Sequence, residues 1–212
     1  SSPTLATSPK SRPTEQSSHS MRDYAGVSHR EPLSSPRSEA GGFTVRIERE
    51  WAMPNKATFS IKPIARFIEE EIEGCEVIID PFARNAKIAT VTNDLNPECN
   101  TDYHLDALDF LNNFEDASVD GVLYDPPYSP RQLKECYDGV GLSLSFEQTN
   151  AGYWSSLKKE IARILRPGGI ALSFGWNTQG IGMSLGFNKQ RILMVAHGGM
   201  HNDTLCVSEV KA

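Results

Sequence analysis

The sequence predicts an α/β domain with a mostly parallel sheet and helices on both faces. Short apolar runs of strand length alternate with segments of helical periodicity, the pattern of a parallel sheet joined by helical crossovers. Three of those runs end on an aspartate, at Asp80, Asp94 and Asp125. Open parallel sheets bind ligands outside the carboxyl ends of their strands. The three carboxylates are therefore expected along one functional rim.

Residues 1–42 are expected to be a disordered tail or linker, and residues 43–212 the folded domain. The tail is rich in Ser, Pro, Arg and Glu and has few large apolar side chains, too few to offset chain entropy. From 60 to 73 the spacing predicts a helix. Ser60 is the expected N-cap, Pro63 sits in the first turn, Ile61, Ile64, Ile68 and Ile72 form one stripe, and Gly74 ends it. Strands follow at 76–80 and 88–93, and a short helix at 106–113. Val119–Tyr124 reads as a strand stopped by Asp-Pro-Pro. Residues 129–152 lack clear periodicity and read as a loop with broken helix. A helix over 153–165 carries Trp154, Leu157, Ile161 and Ile164 on one face, and Arg166-Pro-Gly-Gly169 stops it. Strands at 170–174, 189–197 and 203–210 complete the domain.

Composition narrows the function. The chain has 212 residues, 39% of them hydrophobic and 23% charged, and a net charge of -6. Of its 21 Lys and Arg and 27 Asp and Glu, the tail holds five and four, so the remainder is acidic by seven. That excludes nucleic-acid binding by bulk charge, which rests on counterion release from phosphates; a local basic groove stays open. No apolar run reaches the length of a membrane span and no signal-peptide pattern opens the chain, so a cytoplasmic protein without membrane contact is expected. Cys75, Cys99, Cys136 and Cys206 are far apart and lack zinc spacing, so neither a disulfide framework nor a metal site is expected.

The sharpest motif is Asp125-Pro126-Pro127-Tyr128 after the 119–124 strand. Two consecutive prolines remove two backbone donors and stiffen the turn. The carbonyls of Asp125 and Pro126, with the acceptor-only carboxylate of Asp125, make a rigid acceptor site for an NH2 group. Tyr128 adds a flat face for stacking. A bare Asp-Pro-Pro merely ends a strand, but flanking aromatics and the strand context favour ligand binding. Arg131 and Lys134, with Arg84 and Lys87, are candidate phosphate contacts. Tyr137 and Tyr153 are candidates to stack on a displaced strand, whereas Trp154 is expected in the core. His197 and His201 lack a motif and are expected to be structural or at the surface.

This motif resembles the catalytic motif of the S-adenosylmethionine-dependent amino-methyltransferases, which methylate adenine N6 or cytosine N4 in DNA. In that family it follows the fourth strand of a Rossmann-like sheet. Asp80-Pro81-Phe82 resembles the methionine-binding motif. Asp94 matches the ribose-binding carboxylate, and Asp106-Ala107-Leu108 resembles the segment that contacts the cofactor adenine. Phe59-Ser60-Ile61-Lys62-Pro63 resembles the helix start lining the methionine end. Leu165-Arg166-Pro167-Gly168-Gly169 resembles the turn before the fifth strand. The likeness covers about residues 51–210. It implies a Rossmann-like class I methyltransferase domain with a seven-stranded sheet, its last strand antiparallel.

The implied catalytic set is Asp125, Pro126, Pro127 and Tyr128. The implied cofactor set is Phe59, Lys62, Asp80, Pro81, Phe82, Asp94, Asp106 and Ala107 for S-adenosyl-L-methionine. Substrate contacts are expected from Tyr128, Arg131 and Lys134. The implied reaction is methyl transfer to a nucleobase amine, adenine N6 in DNA foremost, because the cytosine-N4 enzymes more often carry Ser before the prolines. RNA adenine, DNA cytosine N4 and a catalytically inactive binding subunit stand as alternatives. A protein glutamine amide is disfavoured, because that branch usually has Asn where Asp125 stands. Two departures are visible. The loop Ala83-Arg84-Asn85-Ala86 lacks the family's glycines, and no separate target-recognition domain is present. A homodimer or a separate recognition partner is left open.

Overall fold

A computed structural model describes residues 44–127, 129–141 and 151–212. The expected tail, residues 1–42, lies outside them. Seven strands form one sheet: β1 Arg46–Trp51, β2 Ile78–Asp80, β3 Val91–Thr92, β4 Val119–Tyr124, β5 Leu165–Gly175, β6 Phe187–Ala196 and β7 Thr204–Lys211. Their order is β1-β6-β7-β5-β4-β2-β3. β7 runs antiparallel to both β5 and β6, and every other pair is parallel. This is a Rossmann-like, mostly parallel architecture.

Helices cover both faces. Along the central strands successive side chains alternate between two cores. Ile78, Leu123 and Leu172 meet Ile64, Phe67 and Ile68 of helix α1 (Lys62–Glu71). Ile79, Val122 and Ala171 meet α2 (Ala107–Asn112) and α4 (Ala151–Ile164), through Phe110, Leu111, Leu157 and Ile161. These short apolar runs are buried on both sides, which is why they read as continuous rather than alternating.

Four expectations need correction. Ser60 does not cap α1. It ends a 3-10 turn, Thr58–Ser60, and its hydroxyl donates to the Ala57 carbonyl, so Ile61 is the N-cap. The 88–93 strand shrinks to Val91–Thr92, because Ile88–Thr90 turn back onto β2, where the Thr90 hydroxyl bonds the Ile78 backbone. Within 129–152, Pro130–Gly139 form a regular helix, α3, capped by the Ser129 side chain; residues 142–150 lie outside the described residues. Arg166–Gly169 extend β5 rather than forming a separate turn.

β1 is the unforeseen strand. Its sequence, Arg-Ile-Glu-Arg-Glu-Trp, offers no apolar run. It is held by charge instead. Buried Arg191 on β6 donates to Glu48 at 2.5 Å, and to Glu70 and Glu71 on α1 at 2.7 and 3.1 Å. The same guanidinium lies 5.0 Å from the Phe67 ring centroid.

The opposite end of the sheet has its own anchor. Asp120 in β4 accepts the backbone N–H groups of Glu76 and Val77 with one oxygen and pairs with Arg166 at 2.5 Å with the other. One buried carboxylate thus aligns the start of β2 with β4 and β5. Gly169 is required here, because a Cβ would lie 2.8 Å from the Arg166 carbonyl. Removing one partner of a buried pair strands the other charge. Asp120→Ala is expected to cost about 3–5 kcal/mol in urea unfolding, and Arg166→Met in the same chain to recover part of it. A loss under about 1 kcal/mol would refute the anchoring role.

Candidate active site

The chain reverses direction across the sheet between β2 and β4. From β2 it moves outward to β3, then returns to the other side of β2 to form β4. This is the switch point at which parallel sheets open a crevice. The register sets Ile79 level with both Val91 and Val122, so the three strands end together. Asp80, Asp94 and Asp125 follow on one rim, as the sequence predicts.

Asp80 is buried, at 1% exposure, and accepts the Phe82 backbone N–H at 2.9 Å. Burial pushes its carboxyl well above the ordinary range, against the Phe82 hydrogen bond, and the charges of Asp125 and Asp94 push it further. Asp94 accepts the backbone N–H of Arg84 with one oxygen and that of Asn96 with the other. Each oxygen keeps a lone pair.

A cavity of about 460 Å³ opens beside this rim. Its walls are the segment Asn55–Ser60, the loop Phe82–Ala86, Ile88 and Asp125. Phe59 and Phe82 are held by other aromatics, Phe59 at 4.8 Å from Phe174 and Phe82 at 6.0 Å from Tyr124. The glycine-free loop still makes a glycine-like turn, because Arg84 adopts φ 51°. Its guanidinium then donates to the Lys56 carbonyl at 2.9 Å, which ties the two walls together.

The residue that shapes this loop was missed in the sequence. Asn93 is fully buried. Its side chain donates to the carbonyls of Pro81 and Leu105 and accepts the Leu105 N–H, and its backbone bonds Asp80 and Ala83. The only sequence signal is a polar residue where an apolar strand residue was due.

The remaining expected residues lie at varying distances. Pro81 is buried behind the cavity wall, and Lys62 is exposed at the first position of α1. Ala107 is buried in the core. Asp106 caps α2 by accepting the Leu108 N–H, and its carboxylate also receives the hydroxyls of Tyr137 and Tyr153. Those two tyrosines are buried, so they are not placed to stack on a strand; they join α3 and α4 to α2. Burial first, and Asp106 beside them, push both phenols above their ordinary value. Tyr128 lies outside the described residues. Arg131 and Lys134 are exposed on α3 and paired with Glu135 and Asp138. His197 is buried, with one ring nitrogen against the Ala52 carbonyl and the other against the Thr204 hydroxyl, a structural role. His201 is exposed.

A second cavity, of about 290 Å³, lies on the other side of the same turn. Tyr124, Pro126 and Pro127 form one wall, and Trp154, Lys158, Ser173 and Trp176 contribute to the rest. Trp154 is only partly covered by the core, so it serves both as packing and as cavity wall. Among the described residues no cluster of His, Cys, Asp and Glu is suited to a metal ion, and no helix is long and apolar enough to cross a membrane.

The raised Asp80 carboxyl has a thermodynamic consequence. The folded state holds that proton more tightly than the unfolded chain, so stability falls as pH rises from the ordinary carboxylate value toward the raised one. Asp80→Asn mimics the neutral form. It is expected to melt at a higher temperature than wild type at pH 7, with the gap closing toward about pH 4. Thermal melts across that range check this, and a gap independent of pH would overturn it.

No protein-family model matches the chain. No curated protein matches it either. Among solved structures, it is similar to the 1,6-didemethyltoxoflavin-N1-methyltransferase of Burkholderia thailandensis, crystallised with 1,6-didemethyltoxoflavin and S-adenosylhomocysteine. That likeness has a TM-score of 0.48 at 12% identity and covers 71% of this chain and 77% of that one. The PH0226 protein of Pyrococcus horikoshii OT3 is similar with a TM-score of 0.39 at 13% identity, over 70% of this chain and 92% of that one.

Proposed function

We propose that the protein transfers a methyl group from S-adenosyl-L-methionine to the exocyclic amine of a nucleobase, adenine N6 in DNA foremost. The observation that carries this reading is the partition of the site by one turn. Asp125 lines the larger cavity, and its neighbours Pro126 and Pro127 line the smaller. One turn therefore borders both a space for a donor and a space for an acceptor, and the two ligands would meet directly beside it.

The larger cavity suits the cofactor. Its volume lies in the range of small-molecule sites. Phe59, Phe82 and the alanines of both walls supply apolar surface. The Asp125 carboxylate in its lining favours a cationic ligand, whereas burial foremost drives Asp80 toward its neutral form. Phe59, Phe82, Arg84 and Asp125 would touch the ligand, with Asp80 behind them and Asp94 behind the Arg84 backbone. When bound, S-adenosylmethionine supplies an electrophilic methyl group on a sulfonium.

The chain's own work is to prepare the nitrogen. An exocyclic amine is a weak nucleophile because its lone pair is delocalised into the ring. Asp125 and the Pro126 carbonyl accept its two N–H bonds and localise that lone pair toward the larger cavity. Neither proline has an N–H to compete for those acceptors. The arrangement needs no covalent intermediate and depends on alignment at contact distance: as the nitrogen bonds the methyl carbon the carbon–sulfur bond would break, the neutral thioether would leave, and one N–H proton would pass to Asp125 or to water. A base in duplex DNA must leave the stack to reach the smaller cavity, and Trp154 and Trp176 offer aromatic surface that returns part of that cost. Arg131 and Lys134 pair with exposed acids on their own helix, interactions weak enough for a phosphate to replace.

Asp125→Ala is expected to lower methyl transfer about 10²–10³-fold, with S-adenosylmethionine affinity falling no more than about fivefold, the worth of one solvent-facing charge contact, because the two aromatic walls remain. Tritiated methyl transfer to DNA, RNA and free deoxyadenosine, with calorimetric titration of the cofactor, checks both parts. Wild-type turnover in Asp125→Ala would remove the assigned role, and transfer to RNA alone would reassign the acceptor.

A further inference from the structure

We propose that Ser173 is a specificity-determining residue of the smaller cavity, where its hydroxyl donates to a ring nitrogen of a flat heteroaromatic amine. The proposal rests on the methyl-transfer reading for the placement of the NH2 group, but not for the contact itself. Ser173 is buried at 7% exposure, and its Oγ has no hydrogen-bond partner among the described residues. Buried hydroxyls in native proteins are almost always bonded, because an unmet one forfeits its hydration. Ser173 belongs to the lining of the smaller cavity, and a hydroxyl left unbonded there marks a place where a ligand atom belongs.

Its position in the sheet says which part of a ligand that would be. In the β4–β5 register Ser173 sits level with Tyr124, one residue before Asp125. Its side chain shares a sheet face with Ala171 and Tyr124, the face covered by α4, and Trp154 and Lys158 of α4 line the same cavity. A ring lying between the Pro126–Pro127 wall and the indoles, with its amine at Asp125, presents its edge to β5. Lys158 is held apart from this contact, because its ammonium donates to the Gly180 carbonyl at 2.6 Å. Gly180 is itself seated against buried Glu209, where a Cβ would lie 2.1 Å from a carboxylate oxygen. Ser173 is thus the buried donor of this cavity wall that no protein acceptor has taken. An aminopurine or aminopyrimidine meets it with a ring nitrogen; a glutamine side chain has no such atom.

The test is a binding titration of the full chain with 2′-deoxyadenosine, followed by tryptophan fluorescence. Ser173→Ala is expected to weaken binding about three- to tenfold, the worth of one neutral hydrogen bond. Among the 1-deaza, 3-deaza and 7-deaza analogues, one should lose the same factor on wild type and lose nothing further on the variant. Ser173→Ala should also melt at or above the wild-type temperature, because it removes an unmet polar group. The inference is overturned if the variant binds all four nucleosides as wild type does, loses equally for all, or melts clearly lower. Absence of deoxyadenosine binding at millimolar concentration overturns it as well. A chain that binds deoxyadenosine with this dependence yet transfers no methyl group refutes the proposed reaction and leaves the contact standing. Methylation of deoxyadenosine with kcat/KM unchanged in Ser173→Ala does the reverse.

Discussion

Two parallel strands that end level, β2 and β4, impose the chemistry of this molecule. Because β3 lies outside β2 and β4 returns on its inner side, the carboxyl ends of all three open on one rim. Three acidic residues cannot all stay charged and dry there. The structure separates them by environment. Asp80 is buried and driven toward its neutral form. Asp94 is satisfied by two backbone N–H groups. Asp125 is left at the boundary between two cavities. One topological feature thus sets three carboxylates in three different environments.

Holding that rim in place needs bonds that apolar packing cannot supply. At the far end of the sheet Asp120 gathers two backbone N–H groups and Arg166. At the rim Asn93 joins the loop after β2 to the segment before α2. Arg84 completes the enclosure. In a glycine-rich loop the backbone itself approaches a ligand. Here a left-handed arginine makes the turn, and its side chain reaches across to the Lys56 carbonyl. The loop exchanges close backbone approach for a clasp between two walls, and the cavity it bounds is lined by side chains.

Much of the fold was legible because its strands are buried on both faces. Runs such as Val122, Leu123 and Tyr124 are apolar on both faces and end at a proline turn, so type and boundary both follow. β1 escaped because Glu48 and Glu50, which face α1, are matched by Arg191 and Arg66, a pairing that no local window contains. The site was legible to the same degree. The rim aspartates follow from strand ends, whereas the aromatics Phe59 and Phe82, which line the larger cavity, were implied by the family resemblance alone. The roles of Asp106, Tyr137 and Tyr153 followed from neither, because their bonds span 31 and 47 positions and bring three helices together. Paired tyrosines near a motif suggest stacking surfaces; only the packing of α2, α3 and α4 turns them inward.

The turn after β4 then acquires a meaning that neither residue type nor fold gives alone. A proline pair is a rigid wall with acceptors and no donors of its own. Set at the switch point, it has Asp125 and the larger cavity on one side and Pro126, Pro127 and the smaller cavity on the other. A reaction that passes a group directly between two bound molecules needs open contact between them, beside an acceptor group stiff enough to keep alignment and free of competing donors. Behind it, Tyr124 and Ser173 lie level on adjacent strands, so the sheet itself forms the back of the smaller cavity. The stiffness of the turn and the rigidity of the strands behind it therefore act on the same point, the nitrogen expected at Asp125.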